Sequence, residues 1–209
     1  MKPIDYFNDA WTRCDELRVL SSFLRSRITP ALSVNEMLRA EWVARVSALD
    51  LFVHELVLQR MVEIFSGSRP ASDGFDRFGC TLSLARRLTL AQSDTERTLT
   101  FNLEVKSKLN RMTFQNPDDI ANGIRFVSNV ELWKAIVVKR GFPQNRIDDA
   151  AKELKRRLSL IVDRRNKIVH EADLVPSVPR TPWPISRDDV DETASLIDGI
   201  VSDISEIVV

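Results

Sequence analysis

A chain of 209 residues, 44% of them hydrophobic and 29% charged, can close one sizeable core and is short for two. Lys plus Arg and Asp plus Glu stand at 30 each, so the net charge is zero, which argues against strong non-specific nucleic-acid binding and leaves room for a local basic groove. Two cysteines, Cys14 and Cys80, with no CxxC pair suggest neither a disulfide framework nor a zinc site, and the chain carries no apolar run of about 18 residues that would span a membrane.

The first apolar stripe, Phe7, Trp11, Cys14, Leu17, Leu24 and Ile28, predicts a helix from about Ile4 to Arg27, punctuated by Pro30. Ser33 followed by Glu36 has the form of a capping box and opens a long helix to about Phe65. Its stripe is Trp42, Val46, Leu49, Val53, Leu56 and Met61. Gly67, Pro70, Gly74 and Gly79 mark Ser66 to Gly79 as a loop, and a short helix is expected over Cys80 to Leu90. Ser93 with Glu96 is a second capping box, opening a helix from about Asp94 to Asn110. Asn116-Pro117-Asp118-Asp119 is another helix entry, with Asn as cap, Pro at the first position and acids in the first turn. Two short helices, Ile120 to Phe126 and Val130 to Lys139, precede the breakers Gly141 and Pro143.

Ile147, Ala151, Leu154, Leu158, Ile161, Arg165 and Ile168 then fall near one helical face, with Arg165 where an apolar residue is expected. Pro176, Pro179, Pro182 and Pro184 turn Leu174 to Ile185 into an irregular excursion. Ser186 caps a last helix whose apolar face is Val190, Ala194, Ile197, Val201, Ile204 and Val208. The low glycine content and the lack of alternating strands give an all-α reading: a bundle of two long helices, additional short helices and a C-terminal helix. The expectation is a single domain over 1–209 with its core at about 30–205. The start, Met1-Lys2-Pro3-Ile4-Asp5, has no apolar segment of a signal peptide, so a cytoplasmic location is expected.

The stretch that carries chemistry is Arg164-Arg165-Asn166-Lys167-Ile168-Val169-His170, which holds one of only two histidines. Arginine stays charged and grips a phosphate with two parallel donors. Histidine exchanges a proton near neutral pH. The spacing alone also suits a blander reading, in which His170 favours a helix end and Arg165 neutralises Asp163, Asp50 or Glu171. His54 reads first as a core or interface histidine; its i, i+4 relation to Asp50 also allows a supporting pair facing the motif. The run Lys152, Lys155, Arg156, Arg157 is either a solvated face or an RNA track. Trp183, between two prolines, is either a partner-binding knob or a loop anchor. Asp118-Asp119 and Asp188-Asp189 read as helix first turns, so no metal and no cofactor is expected.

Arg165-Asn166-Lys167-Ile168-Val169-His170 fits the Arg-Asn-x-x-x-His signature of the HEPN superfamily, which this chain resembles. Val162-Asp163 before the motif and Glu171-Ala172-Asp173-Leu174 after it extend the likeness. The stretch from Arg39 to Asp50 is similar to the first long helix of the RiboL-PSP-HEPN-like branch, as is the stretch from Asn116 to Trp133. The resemblance implies an HEPN-like helical bundle and a metal-independent endoribonuclease of a toxin–antitoxin or phage-defence system. It implies a homodimer whose cleft is lined by Arg165 and His170, with Asn166 between them. Arg164, Lys167, Lys155 and Arg156 are then candidate RNA contacts, and Asp50 and His54 a candidate supporting pair. The implied partners are RNA, a second copy of the chain, and an antitoxin or sensor protein, with no membrane. One branch of small toxins carries Tyr two residues after the histidine; Ala172 stands there in this chain, against a tyrosine-modification switch. The alternative is a non-catalytic HEPN module for dimerisation and RNA binding that serves a partner protein.

Overall fold

The computed structural model describes residues 1–27 and 34–208. Ile28, Pro30 and Ser33 lie outside the described residues. Among those described, the chain forms α1 (Pro3–Arg25), α2 (Asn35–Phe65), α3 (Asp73–Asp76), α4 (Leu82–Leu90), α5 (Asp94–Leu109), α6 (Pro117–Arg125), α7 (Leu132–Lys139), α8 (Ile147–Glu171) and α9 (Arg187–Ile207). A 3₁₀ turn, Gln144–Arg146, leads into α8. The only β pairing among the described residues is an isolated bridge between Leu174 and Pro182. No helix among them is long and apolar enough to cross a membrane.

The helix α2 is the axis of the molecule. Its buried side chains include Leu38, Trp42, Val46, Ala48, Leu49, Phe52, Val53, Leu56, Val57 and Met61. That set covers more than the single stripe of a surface helix, so α2 is enclosed rather than laid on a core. It packs against α1, α5, α6, α8 and α9. Fully burying a side chain such as Phe52 or Leu49 stabilises the fold by about 1.5–3 kcal/mol. On α8 the expected stripe is present: Ile147, Ala151, Leu154, Leu158 and Ile161 are buried. On α9, Val190, Ile197, Val201, Ile204 and Val208 are buried, and Ser186 forms a capping box with Asp189.

Differences from the sequence expectation are local. The loop Ser66 to Gly79 contains the single turn α3, capped by Ser72, whose hydroxyl accepts from the Phe75 amide. Ser72 also donates to the Arg125 and Phe126 carbonyls, so tertiary contacts fix that turn. Gly74 lies so close to α6 that a Cβ there would collide with the Arg125 carbonyl. Asn116 does not cap α6 with its side chain, which donates instead to Asp119 at 3.3 Å.

Charged side chains sit inside the bundle as well. Glu41 and Arg45 on α2 are buried and pair at 2.9 Å. Arg187 of α9 reaches Glu41 at 2.7 Å and Asp15 of α1 reaches Arg45 at 2.6 Å. The Arg45 guanidinium stacks over Trp11, 4.2 Å from the ring centroid. Cys14 is buried beside this network, and burial, opposed by the Arg45 guanidinium, pushes its thiol up to about 11. Cys80 is exposed. A thiol reagent at pH 8 is therefore expected to label Cys80 quickly and Cys14 only on unfolding, because the thiolate is the reactive form. Rapid labelling of two thiols in the native protein, counted by mass, would contradict this.

Candidate functional site

Helix α8 runs without a break to Glu171, so the whole Arg164–His170 stretch is helical. Two left-handed residues end it, Ala172 at φ 53° and Asp173 at φ 54°. The Asp173 amide donates back to the Lys167 carbonyl at 3.0 Å, closing the helix end as a Schellman-type turn does. Two non-glycine residues in this region cost roughly 1–2 kcal/mol each, so something must hold them there.

The Asp173 side chain does so. It is fully buried, and its Oδ2 accepts from Arg39 Nε at 2.9 Å and Arg164 Nη2 at 2.7 Å. Arg39 Nη2 donates on to the Trp183 carbonyl at 2.6 Å, and Arg164 Nη2 to the Pro184 carbonyl at 3.0 Å. The Trp183 amide donates to the Asp173 carbonyl at 2.7 Å. One buried carboxylate thus ties the end of α8, the start of α2 and the proline-rich excursion together. Asp173 Oδ1 and Arg164 Nε remain buried without a partner among the described residues.

Arg165 lies outside that knot. Its guanidinium is half-buried, donates through Nη1 to Asn166 Oδ1 at 3.0 Å, and has no ion pair among the described residues. Its Nε is buried and unpartnered. Neutralisation by Asp163, Asp50 or Glu171 is therefore not what occupies it. His170 is exposed in the last turn of α8. Five residues along a continuous helix turn the direction by about 140°, so Arg165 and His170 point to different sides of one protomer. A loosening of the helix at Val169, one way to bring them together, does not occur.

The other candidates are distributed as follows. Arg164, expected on RNA, is committed to Asp173 and the loop carbonyls. Lys155 pairs with Asp118 at 2.6 Å, and Arg156 grips Glu153 with two bonds of 2.7 Å. Lys167 is exposed, with Nζ 6.0 Å from the centre of the Trp183 ring. Asp50 and His54 do pair, at 3.5 Å. Asp50 accepts from the Phe114 amide at 2.5 Å and from Gln115 at 3.2 Å, and with His54 lines a cavity of about 380 Å³ between α2 and α5. Arg39 marks the level at which α2 meets the motif end of α8, and Asp50 stands about 16 Å further along α2. Among the described residues neither side chain bonds to Arg165, Asn166 or His170.

Sequence reasoning missed Arg39 and the part played by Asp173. Arg39 shares a helical face with Trp42 and Val46, so it had the same signal as Arg165, a cation inside an apolar stripe. Among the described residues no group of three or more His, Cys, Asp or Glu gathers as metal ligands do.

Comparison with known proteins gives one finding. The family model described as RiboL-PSP-HEPN matches residues 11–209. No curated protein and no solved structure matches the chain.

Proposed function

Since the chain belongs to the RiboL-PSP-HEPN family, within a superfamily of ribonucleases and RNA-binding modules that often dimerise, we propose that it is a metal-independent endoribonuclease. It acts as a homodimer in the cytoplasm, in a toxin–antitoxin or phage-defence setting with an antitoxin or sensor protein as partner. The observation that carries this reading is Arg165, a half-buried guanidinium with no counter-ion among the described residues, on the same helix end as an exposed histidine. A cation kept out of water without a partner is costly. A phosphodiester entering a cleft supplies the missing anion with two oxygens that match the guanidinium fork.

The chemistry follows from these groups. RNA carries its own nucleophile, the 2′-OH. A base removes its proton, an acid protonates the leaving 5′ oxygen, and a cation steadies the charge on phosphorus. His170 transfers the proton and Arg165 holds the phosphate, while Asn166 keeps the guanidinium in place. One protomer turns Arg165 and His170 apart, so a two-fold cleft is the economical site: it brings two copies of each, one histidine as base and the other as acid.

The test is incubation of the pure protein with mixed RNA in EDTA, followed by end-group analysis. Cleavage with 2′,3′-cyclic phosphate and 5′-hydroxyl ends is expected, and DNA is expected to survive. Activity that needs added magnesium would overturn the mechanism. The divergence of Arg165 and His170 within one protomer also favours a second reading, the non-catalytic RNA-binding module. A protein that binds RNA and never cuts it, with candidate partners present, selects that module.

A further inference from the structure

Beside the motif, α8 borders a cavity of about 390 Å³ lined by the apolar side chains of Trp42, Leu160, Ile161 and Trp183 and by the charged residues Asp163, Arg164 and Lys167. That volume falls within the range of about 300–1,000 Å³ usual for small-ligand sites. Asp163, Lys167 and His170 follow one another at steps of four and three residues, so they share a face of α8. The cavity therefore opens on the His170 side of the helix, and Lys167 precedes His170 by only about 5 Å along the axis.

Trp183 is held in an unusual way. Its amide donates to Asp173 and its carbonyl accepts from Arg39, so the backbone is fixed on both sides, and Pro182 and Pro184 flank it. Yet the residue is 39% exposed. A tryptophan that served only to fasten the loop would bury its ring. A rigid backbone with an open ring is instead a stacking platform, ordered before any ligand arrives. Asp163 is exposed and has no ion pair among the described residues. A carboxylate on the rim opposes a phosphate and welcomes N–H donors.

We propose that this cavity is a nucleobase site, which takes one unpaired base of the RNA strand next to the phosphodiester presented to His170, with guanine preferred. The inference rests on the RNA-directed reading above and adds the substrate class: single-stranded or looped RNA carrying an extruded guanine. The base stacks on Trp183, with Trp42 and Leu160 completing the apolar wall. Lys167 takes the adjoining phosphate. Asp163 accepts from the base edge. Guanine offers it two adjacent donors, N1–H and the N2 amine, whereas uracil's single N–H is flanked by two carbonyl oxygens that repel it.

The experiment measures binding of labelled RNA hairpins to the His170→Ala protein, in which cutting is slowed, alongside cleavage in EDTA by the protein that keeps His170. Hairpins carry one unpaired loop position as guanine, uracil or an abasic unit. Guanine is expected to bind on the order of tenfold more tightly than the abasic unit. Trp183→Leu should lose about the same factor with guanine and nothing further with the abasic unit; Trp183→Phe should retain part of it. Asp163→Asn should reduce the preference for guanine over uracil. Thermal melts guard against loss of fold in Trp183→Leu, and Trp183→Phe keeps the test open if that variant unfolds. Additive losses from Trp183→Phe and the abasic unit, or equal binding of paired and unpaired RNA, would overturn the base site while cleavage in EDTA still stood. A folded protein that neither binds nor cuts RNA would overturn the base site together with the reading beneath it.

Discussion

Replacing His170 by alanine is expected to slow RNA cleavage by about 10² or more and to leave the helix content unchanged. Both halves of that expectation come from position. His170 is exposed in the last turn of α8, and the helix end is closed by the Asp173 amide and the Lys167 carbonyl, not by the imidazole. Its loss removes a proton carrier without unmaking a contact of the fold. Arg165→Lys should also be damaging, because an ammonium is a point charge and cannot present two parallel donors to a phosphate. Its effect should be on cleavage more than on melting temperature, since among the described residues the guanidinium has a single side-chain hydrogen bond, to Asn166. Cleavage rates on one RNA with circular dichroism of each variant make the measurement. A His170→Ala protein that cuts at the wild-type rate rejects the assignment.

Asp173→Ala is expected to produce the largest loss of stability, about 3–5 kcal/mol, a fall in melting temperature on the order of 10 °C. The carboxylate is fully buried and serves two guanidiniums from different elements, Arg39 and Arg164. Removing it leaves Arg164 without a carboxylate and the almost wholly buried Arg39 with only the exposed Glu36, at 2.9 Å, as a counter-ion. Alanine also inherits the left-handed backbone at φ 54° without the ion pairs that hold it there. Asp173→Asn should fall between, since an amide oxygen still accepts while the charge is gone. Glu153→Ala, which breaks the exposed pair with Arg156, should shift the melt little. Equal melting temperatures for Asp173→Ala and Glu153→Ala would refute the account of the knot.

The helices were legible because their apolar residues recur at the helical period over many turns, as Ile147 to Ile161 do on α8. The turn α3 was not, since four residues carry no period and its cap, Ser72, is fixed by carbonyls of Arg125 and Phe126 more than fifty residues away. The motif was legible as residue types and spacing, but its surroundings were not. Arg164 and Arg165 are neighbours of one type, and only the fold assigns one to Asp173 and leaves the other without a counter-ion among the described residues. Arg39 meets Asp173 across 134 residues of chain and Glu41 meets Arg187 across 146, separations at which no local pattern operates. Trp183 announced itself by its two prolines; the combination of fixed backbone and open ring appears only in three dimensions.

These long separations bear on how the protein is made. At about 5–20 residues per second, the ribosome releases Arg39, Glu41 and Arg45 many seconds before Asp173 and Arg187. Asp15 and Glu41 can meet Arg45 early, and Glu36 can meet Arg39, but the second oxygen of Glu41 and two of the three bonds of the Arg39 fork wait for Asp173, Trp183 and Arg187. The nascent chain therefore carries the length of α8, motif included, before the proline-rich segment arrives to order its end. Assembly of the surface around the motif therefore follows synthesis of the helices that carry it, and translation interrupted between Glu171 and Trp183 yields helices without the knot that ties them.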